Sequence, residues 1–237
     1  MNLNSDIQEL INKSKRDFET IKEEYNKSLH DEKISTSLKI SIKNCLENLR
    51  SALDYLGKQI YNEKQCQGAK KTYFPIFSKD KQSFDKFMQE NYPNLNTIDP
   101  TIYTKLEVIQ FFNNSKENEW MSDLVTLVNE NKHEKLSPQT KTERKELSIS
   151  SGGTGIKLSG GASIRMGSGT SIKIGGKTIY GDQTISPDSS YIRADPALDI
   201  KKVIWIDFTF DELNKPVILT LSKIIDGVQK TIDYFKS

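Results

Sequence analysis

The side chains with the types and spacing to do chemistry are an Arg/Asp pair on one helix and a His at the end of another. Arg50 and Asp54 stand four residues apart in an apolar-striped stretch, so they occupy adjacent turns and can pair. In residues 118–136 (NEWMSDLVTLVNENKHEKL), Trp120, Leu124, Leu127 and Asn131 recur at helical spacing, which sets Asn131 in line with an apolar stripe. His133 follows, one of two histidines, flanked by Lys132 and Lys135. A histidine can serve as general base or acid near neutral pH, and an arginine can stabilise a phosphate in transfer. The candidate catalytic set is therefore Arg50, Asp54 and His133, with Asn129 and Asn131 as a polar network beside it and Lys132 as a nucleic-acid contact. The same residues fit two other arrangements. One is an exposed salt bridge with a solvated histidine at a helix end. The other is a buried network in which Arg50 bonds Asp54 and a helix C-terminal carbonyl while His133 aids its own helix end.

A second set of cations recurs in a glycine-rich region. Residues 147–181 hold ten of the thirteen glycines, four basic residues and no acidic one. Within them an eight-residue repeat runs GTGIKLSG, GASIRMGS, GTSIKIGG from residue 153. It places Ile156, Ile164 and Ile172, with Leu158, Met166 and Ile174, on one face and Lys157, Arg165 and Lys173 on the other. Short strands joined by Gly/Ser turns suit this spacing, so a small antiparallel meander with one apolar face packed on the helical bundle and one basic face exposed is expected. The basic column could track the phosphates of a nucleic acid, with Tyr180 or Tyr191 stacking on a base; equally, it could be a solvated outer face whose lysines keep sheet edges apart. The glycine runs do not link a strand to a helix as phosphate-binding loops do, and G-x-S-x-G, H-E-x-x-H, G-x-x-x-x-G-K-[ST] and C-x-x-C are missing. No metal or other cofactor is expected.

These residues must be positioned mainly by helices. Apolar spacing predicts helices over 5–29, 35–62, 81–90, 100–113 (with Asp99 as N-cap and Pro100 in the first turn), 118–136 and 215–235. Residues 72–77 (TYFPIF) carry a proline that excludes a helix interior and should lie extended; 91–96 should be a loop, and 203–210 (VIWIDFTF) a strand. The fold class that follows is mainly α (α+β), a helical bundle (1–146) with an inserted small antiparallel β subdomain (147–210) and a closing C-terminal helix (211–237).

Composition sets outer limits. With 237 residues, 35% hydrophobic and 28% charged, much of the chain must face water. Its 34 basic and 32 acidic side chains nearly cancel, so no global field attracts nucleic acid or an anionic membrane. Cys45 and Cys66 have neither metal-ligand spacing nor the density of a disulfide framework, and the N-terminal sequence has no signal-peptide layout. A cytoplasmic protein without a membrane span is expected.

Taken together, Asn48-Leu49-Arg50-Ser51-Ala52-Leu53-Asp54, Phe74-Pro75-Ile76 and Asn129 with Lys132-His133 resemble a group of uncharacterised bacterial proteins with N-L-R-S-A-L-D, F-P-I and N-x-x-K-H motifs in this order. The resemblance covers roughly residues 35–136; an Asp often stands in that group where this chain has Asn131. The helical layout is also similar to HEPN domains, bundles of toxin and phage-defence systems, many of which cut RNA with a helix that carries an Arg, then four to six residues, then a His. No arginine stands before His133 around Leu127, Val128 and Asn129, so Arg50 would have to serve from another helix. The resemblance implies a HEPN-like module binding or cleaving RNA, as a monomer or a homodimer. The competing expectation is a non-catalytic interaction protein whose β insertion contacts a protein partner.

Overall fold

The computed structural model describes residues 3–28, 35–69, 71–77, 80–133, 136 and 138–236, with the side chains of Glu130, Lys132, His133, Arg144, Trp205 and Ile206 outside the description. The fold is α+β. In chain order, the described residues form α1 (Ser5–Ser28), α2 (Thr36–Glu63), α3 (Lys81–Asn91), α4 (Leu95–Ile98), α5 (Pro100–Val108), α6 (Glu119–His133), β1 (Gln139–Ser151), β2 (Thr154–Ser159), β3 (Ile164–Met166), β4 (Ser171–Ile174), β5 (Lys177–Tyr180), β6 (Gln183–Ile185), β7 (Asp199–Phe210), β8 (Lys215–Pro216) and α7 (Val217–Lys236). Among the described residues, no helix is long and apolar enough to cross a membrane. The chain divides into two compact units, Met1–Thr140 with Phe208–Ser237, and Lys141–Asp207. Against the expected insertion at 147–210, β1 begins at Gln139. It has no apolar side chain before Leu147, so no period-two alternation marks its start.

In the first unit, α2 packs against α1, α6 and α7. Ser35 caps α2 by accepting from Leu38 N, and its apolar stripe Leu38, Ile42, Cys45, Leu46, Leu49, Leu53, Leu56 and Ile60 is buried. α7 contributes Leu221, Ile224, Val228 and Ile232 to the same core, and a Cβ at Gly227 would run into the Trp120 ring of α6, so that close approach requires glycine. Asp99 caps α5 by accepting from Ile102 N, as its sequence predicts. α5 stops at Val108 rather than 113, because the Gln110 side chain donates to the Leu106 carbonyl that a further helical N–H would use. The one-turn α4 begins at the end of the expected 91–96 loop and runs on to Ile98, opened by Asn94 at φ 62°. Pro216, expected in the first turn of the last helix, instead pairs with Thr209 in β8.

The second unit is two hairpins with a core of its own. β1 pairs antiparallel with β2 from Glu146↔Ser159 to Ser151↔Thr154. An outgoing arm, β3 then β4, is matched by a returning arm, β5 then β6, with Ile174↔Lys177 next to the turn and Ile164↔Ile185 at the far end. Both hairpins reverse at Gly-Gly, Gly152 and Gly153 (φ 57° and 82°) and Gly175 and Gly176 (φ 53° and 78°), the two successive positive φ values that a type I′ turn demands. On the side of β1 away from β2 lies β7.

The expected single meander is therefore overturned. The repeat strands β2, β3 and β4 do not pair with one another: β2 folds back on β1, while β3 and β4 share one arm. The physical reason is local, since at Gly160-Gly161 only Gly160 takes a positive φ. The apolar side of the repeat is buried and its cations are exposed, but the apolar side packs into the core of its own unit and not into that of the helices. Met166 and Ile174 are buried with Leu147, Ile149, Ile179 and Ile185, and Ile156, Leu158, Ile164 and Ile172 pack against them. Lys157, Arg165 and Lys173 are exposed.

Candidate functional site

The extended segment 71–77 has no strand beside it, so its backbone must find other partners. Side chains supply them. The Asn91 amide accepts from Lys71 N at 2.9 Å, and the Tyr92 hydroxyl donates to Tyr73 O at 2.9 Å. Phe74 is held on both sides: its N–H donates to Asp54 Oδ1 at 3.1 Å and its carbonyl accepts from Arg50 Nη2 at 3.3 Å. Gln110, fully buried, donates to Pro75 O at 3.2 Å and accepts from Phe77 N at 2.9 Å. Gly57 admits the segment, for a Cβ there would meet Tyr92 Oη at 2.6 Å and Phe74 N at 2.8 Å.

Arg50 and Asp54 are thus a staple. They pair in two-pronged fashion, Nη2 to Oδ1 at 2.9 Å and Nε to Oδ2 at 3.2 Å, the fork geometry that distinguishes Arg from Lys. Their side chains are only 19% and 25% exposed, so the exposed salt bridge envisaged from sequence is corrected. The carbonyl they hold belongs to Phe74 in the extended segment and not to a helix C-terminus, because α2 delivers the pair to that segment. Burial pushes the Tyr92 phenol well above its ordinary range, with the Asp54 charge adding to it. Tyr92 is therefore a fixed hydrogen donor at any physiological pH.

Beside this staple lies a cavity of about 330 Å³, lined by Arg50, Asp54, Tyr73, Phe77, Val128 and Asn129 among others. It brings together the three stretches singled out in the sequence. Its walls combine aromatic and aliphatic side chains with three polar residues, Arg50, Asp54 and Asn129, a composition suited to a small planar ligand with a hydrogen-bonding edge. Arg50 Nη1 takes part in none of the staple contacts. Tyr73 is 52% exposed at the rim.

The remaining predicted residues sort differently. Asn131 donates back to Leu127 O at 2.8 Å within its own helix. Lys132 and His133 end α6, but their side chains lie outside the described residues, so the His133 and Lys132 assignments do too. Lys157 lies on β2 within 3.5 Å of Glu146, while Arg165 and Lys173 lie on β3 and β4. Sequence reasoning missed Gln110, Asn91 and Tyr92 as partners of the segment, and Tyr73, Phe77 and Phe87 as walls. The available signal was Pro75 in an apolar run, which implies a non-helical backbone needing polar partners from elsewhere. Comparisons of the chain with protein-family models, with curated proteins and with solved structures find no match.

Proposed function

We propose that the chain is a HEPN-like helical bundle that binds RNA, as in bacterial defence or toxin-type systems, taking an unpaired nucleotide into the cavity beside Arg50. The observation that carries this reading is the convergence of Arg50 and Asp54 from α2, Tyr73 and Phe77 from the extended segment, and Asn129 from α6 on one cavity. Unpaired bases are recognised by stacking on aromatic rings and by amide or guanidinium hydrogen bonds to their edges; Tyr73, Phe77, Asn129 and Arg50 Nη1 are groups of those kinds. Three of the guanidinium contacts go to Asp54 and Phe74, which favours a role for Arg50 in holding and orienting over one in phosphate transfer.

The test is binding of a labelled single-stranded RNA to the full chain, followed by inspection of the RNA after incubation. Tyr73→Ala should weaken binding about 5- to 150-fold, the range of a lost base–aromatic stack, and Asn129→Ala about tenfold. Cleavage products that vanish in His133→Ala would make the module a nuclease; intact RNA would make it a binder. Absence of RNA binding by the unaltered chain overturns the reading. It would favour the alternative, a non-catalytic interaction protein, which the separate compact unit Lys141–Asp207 supports as a partner-binding element.

A further inference from the structure

Strand register assembles a second candidate surface on the outer face of the hairpin β3–β6. Ile174, Ile179 and Ile185 point inward and are buried. Their neighbours therefore point outward: Arg165 opposite Thr184, Ser171 opposite Tyr180, and Lys173 opposite Thr178. The chain then returns along the free side of β5. Ala194 bridges Ile179, the Tyr180 N–H donates to Arg193 O at 3.0 Å and the Asp195 N–H to Thr178 O at 2.8 Å. Arg193 thus sits beside Tyr180, and Asp195 beside Thr178. Arg193 is anchored, its N–H donating to Gln183 Oε1 at 2.8 Å and its guanidinium to Gly181 O.

Charge separates this face from the rest of the unit. Elsewhere Lys145 meets Asp188 and Glu143, Lys157 meets Glu146, and Lys201 meets Asp199. Arg165 and Lys173 have no carboxylate partner among the described residues. Asp195 Oδ1 accepts from Ala197 N, and a second acid, Asp182, stands exposed at the joint between β5 and β6. Between the cations stands Tyr180, 47% exposed, with Tyr191 at 76% two residues before Arg193. Unpaired cations around exposed aromatic rings on a flat strand surface are the means by which proteins hold a single nucleic-acid strand without reading its sequence.

We propose that this face is a second RNA contact, with phosphates of a single strand along Arg165, Lys173 and Arg193 and a base stacked on Tyr180. It shares RNA as ligand with the cavity reading and stands on different residues.

The experiment measures anisotropy of a fluorescein-labelled oligouridylate of roughly 12 nucleotides on the full chain, between about 50 and 200 mM salt. Tyr180→Ala should weaken binding about 5- to 150-fold. Arg165→Ser with Lys173→Ser should lower the slope of log Kd against log salt by about 1.4, since each phosphate contact on a single strand contributes about 0.7. Asn129→Ala should weaken binding with the slope unchanged. All these side chains are exposed, and thermal melts verify that the variants stay folded. If the hairpin variants keep the unaltered affinity and slope while Asn129→Ala weakens binding, the face is not a contact and the cavity reading stands. If the hairpin variants weaken binding and Asn129→Ala does not, the face stands and the cavity reading falls. If the unaltered chain binds no RNA, both fall.

Discussion

Asp54 shows how one carboxylate carries two duties, accepting from the Phe74 N–H while pairing with Arg50. Asp54→Ala leaves a half-buried guanidinium and a backbone N–H without their acceptor, so a loss of about 2–3 kcal/mol is expected in chemical denaturation. Asp54→Asn, which still offers an acceptor to Phe74, should lose less; equal losses would mean that charge alone matters there. Gly57→Ala tests the same spot from the other side. Its methyl would press on the Phe74 backbone, which cannot yield as a flexible side chain can, and a cost of about 1–3 kcal/mol follows. Cys45, fully buried, illustrates the opposite case of a reactive group made inert. Burial, then the Asp17 charge, pushes its thiol up to about 12, so alkylation at pH 8 should await unfolding. Rapid labelling of Cys45 in the folded chain would contradict this.

Helix ends and element junctions are where charge contributes to this fold. The Lys64 bond and then the Ile102 N–H hold the Asp99 carboxyl below its usual range at the start of α5. Because its folded value lies below the unfolded one, the stabilisation is present at neutral pH and is lost as pH falls through that lowered value. Asp99→Ala should therefore cost about 1 kcal/mol near pH 7, and melts of variant and unaltered chain should converge well below pH 4. A gap that persists in acid would locate the effect in packing. At the junction of α6 with β8, Lys215 bonds both oxygens of the buried Asp123, at 2.8 and 2.9 Å, and also reaches Glu119 at 2.8 Å. Burial raises Asp123 despite that lysine, whereas the lysine bond lowers Glu119. The two carboxylates thus contribute with opposite sign as pH rises: Glu119 adds stability above the carboxylate range, and Asp123 withdraws some as it ionises. Lys215→Met strands the Asp123 charge and should cost about 2–3 kcal/mol at pH 7, a deficit that narrows as Asp123 is protonated.

Among the described residues there are two hydrophobic cores, one built on α1, α2, α6 and α7 and one inside the two hairpins. Separate cores predict separate unfolding steps in calorimetry. Gly57→Ala should lower the transition of the first unit and leave the other in place; one transition moving as a whole would show that the units unfold together. Much of this organisation was legible in the chain. Period-3.6 stripes marked α1, α2, α6 and α7, Asp99-Pro100 marked the start of α5, and the repeat marked which residues of the hairpins face inward, because these features depend on neighbours within a turn or a strand. The Arg50/Asp54 pair was also legible, being four residues apart on one helix. What the pair does was not, since its ligand is the backbone of Phe74, twenty residues from Asp54 in the chain. The same holds for Gln110 on Pro75 and Phe77, and for the cavity where α2, the extended segment and α6 meet. Pairing of β2 with β1, and of β4 with β5, likewise lay beyond local pattern, because the three repeats are alike in periodicity and only the backbone at each Gly-Gly decides where the chain reverses. Local sterics and periodicity set the elements and their apolar faces. Which buried backbone groups each polar side chain satisfies is set by the assembled fold, because it depends on contacts between residues distant along the chain.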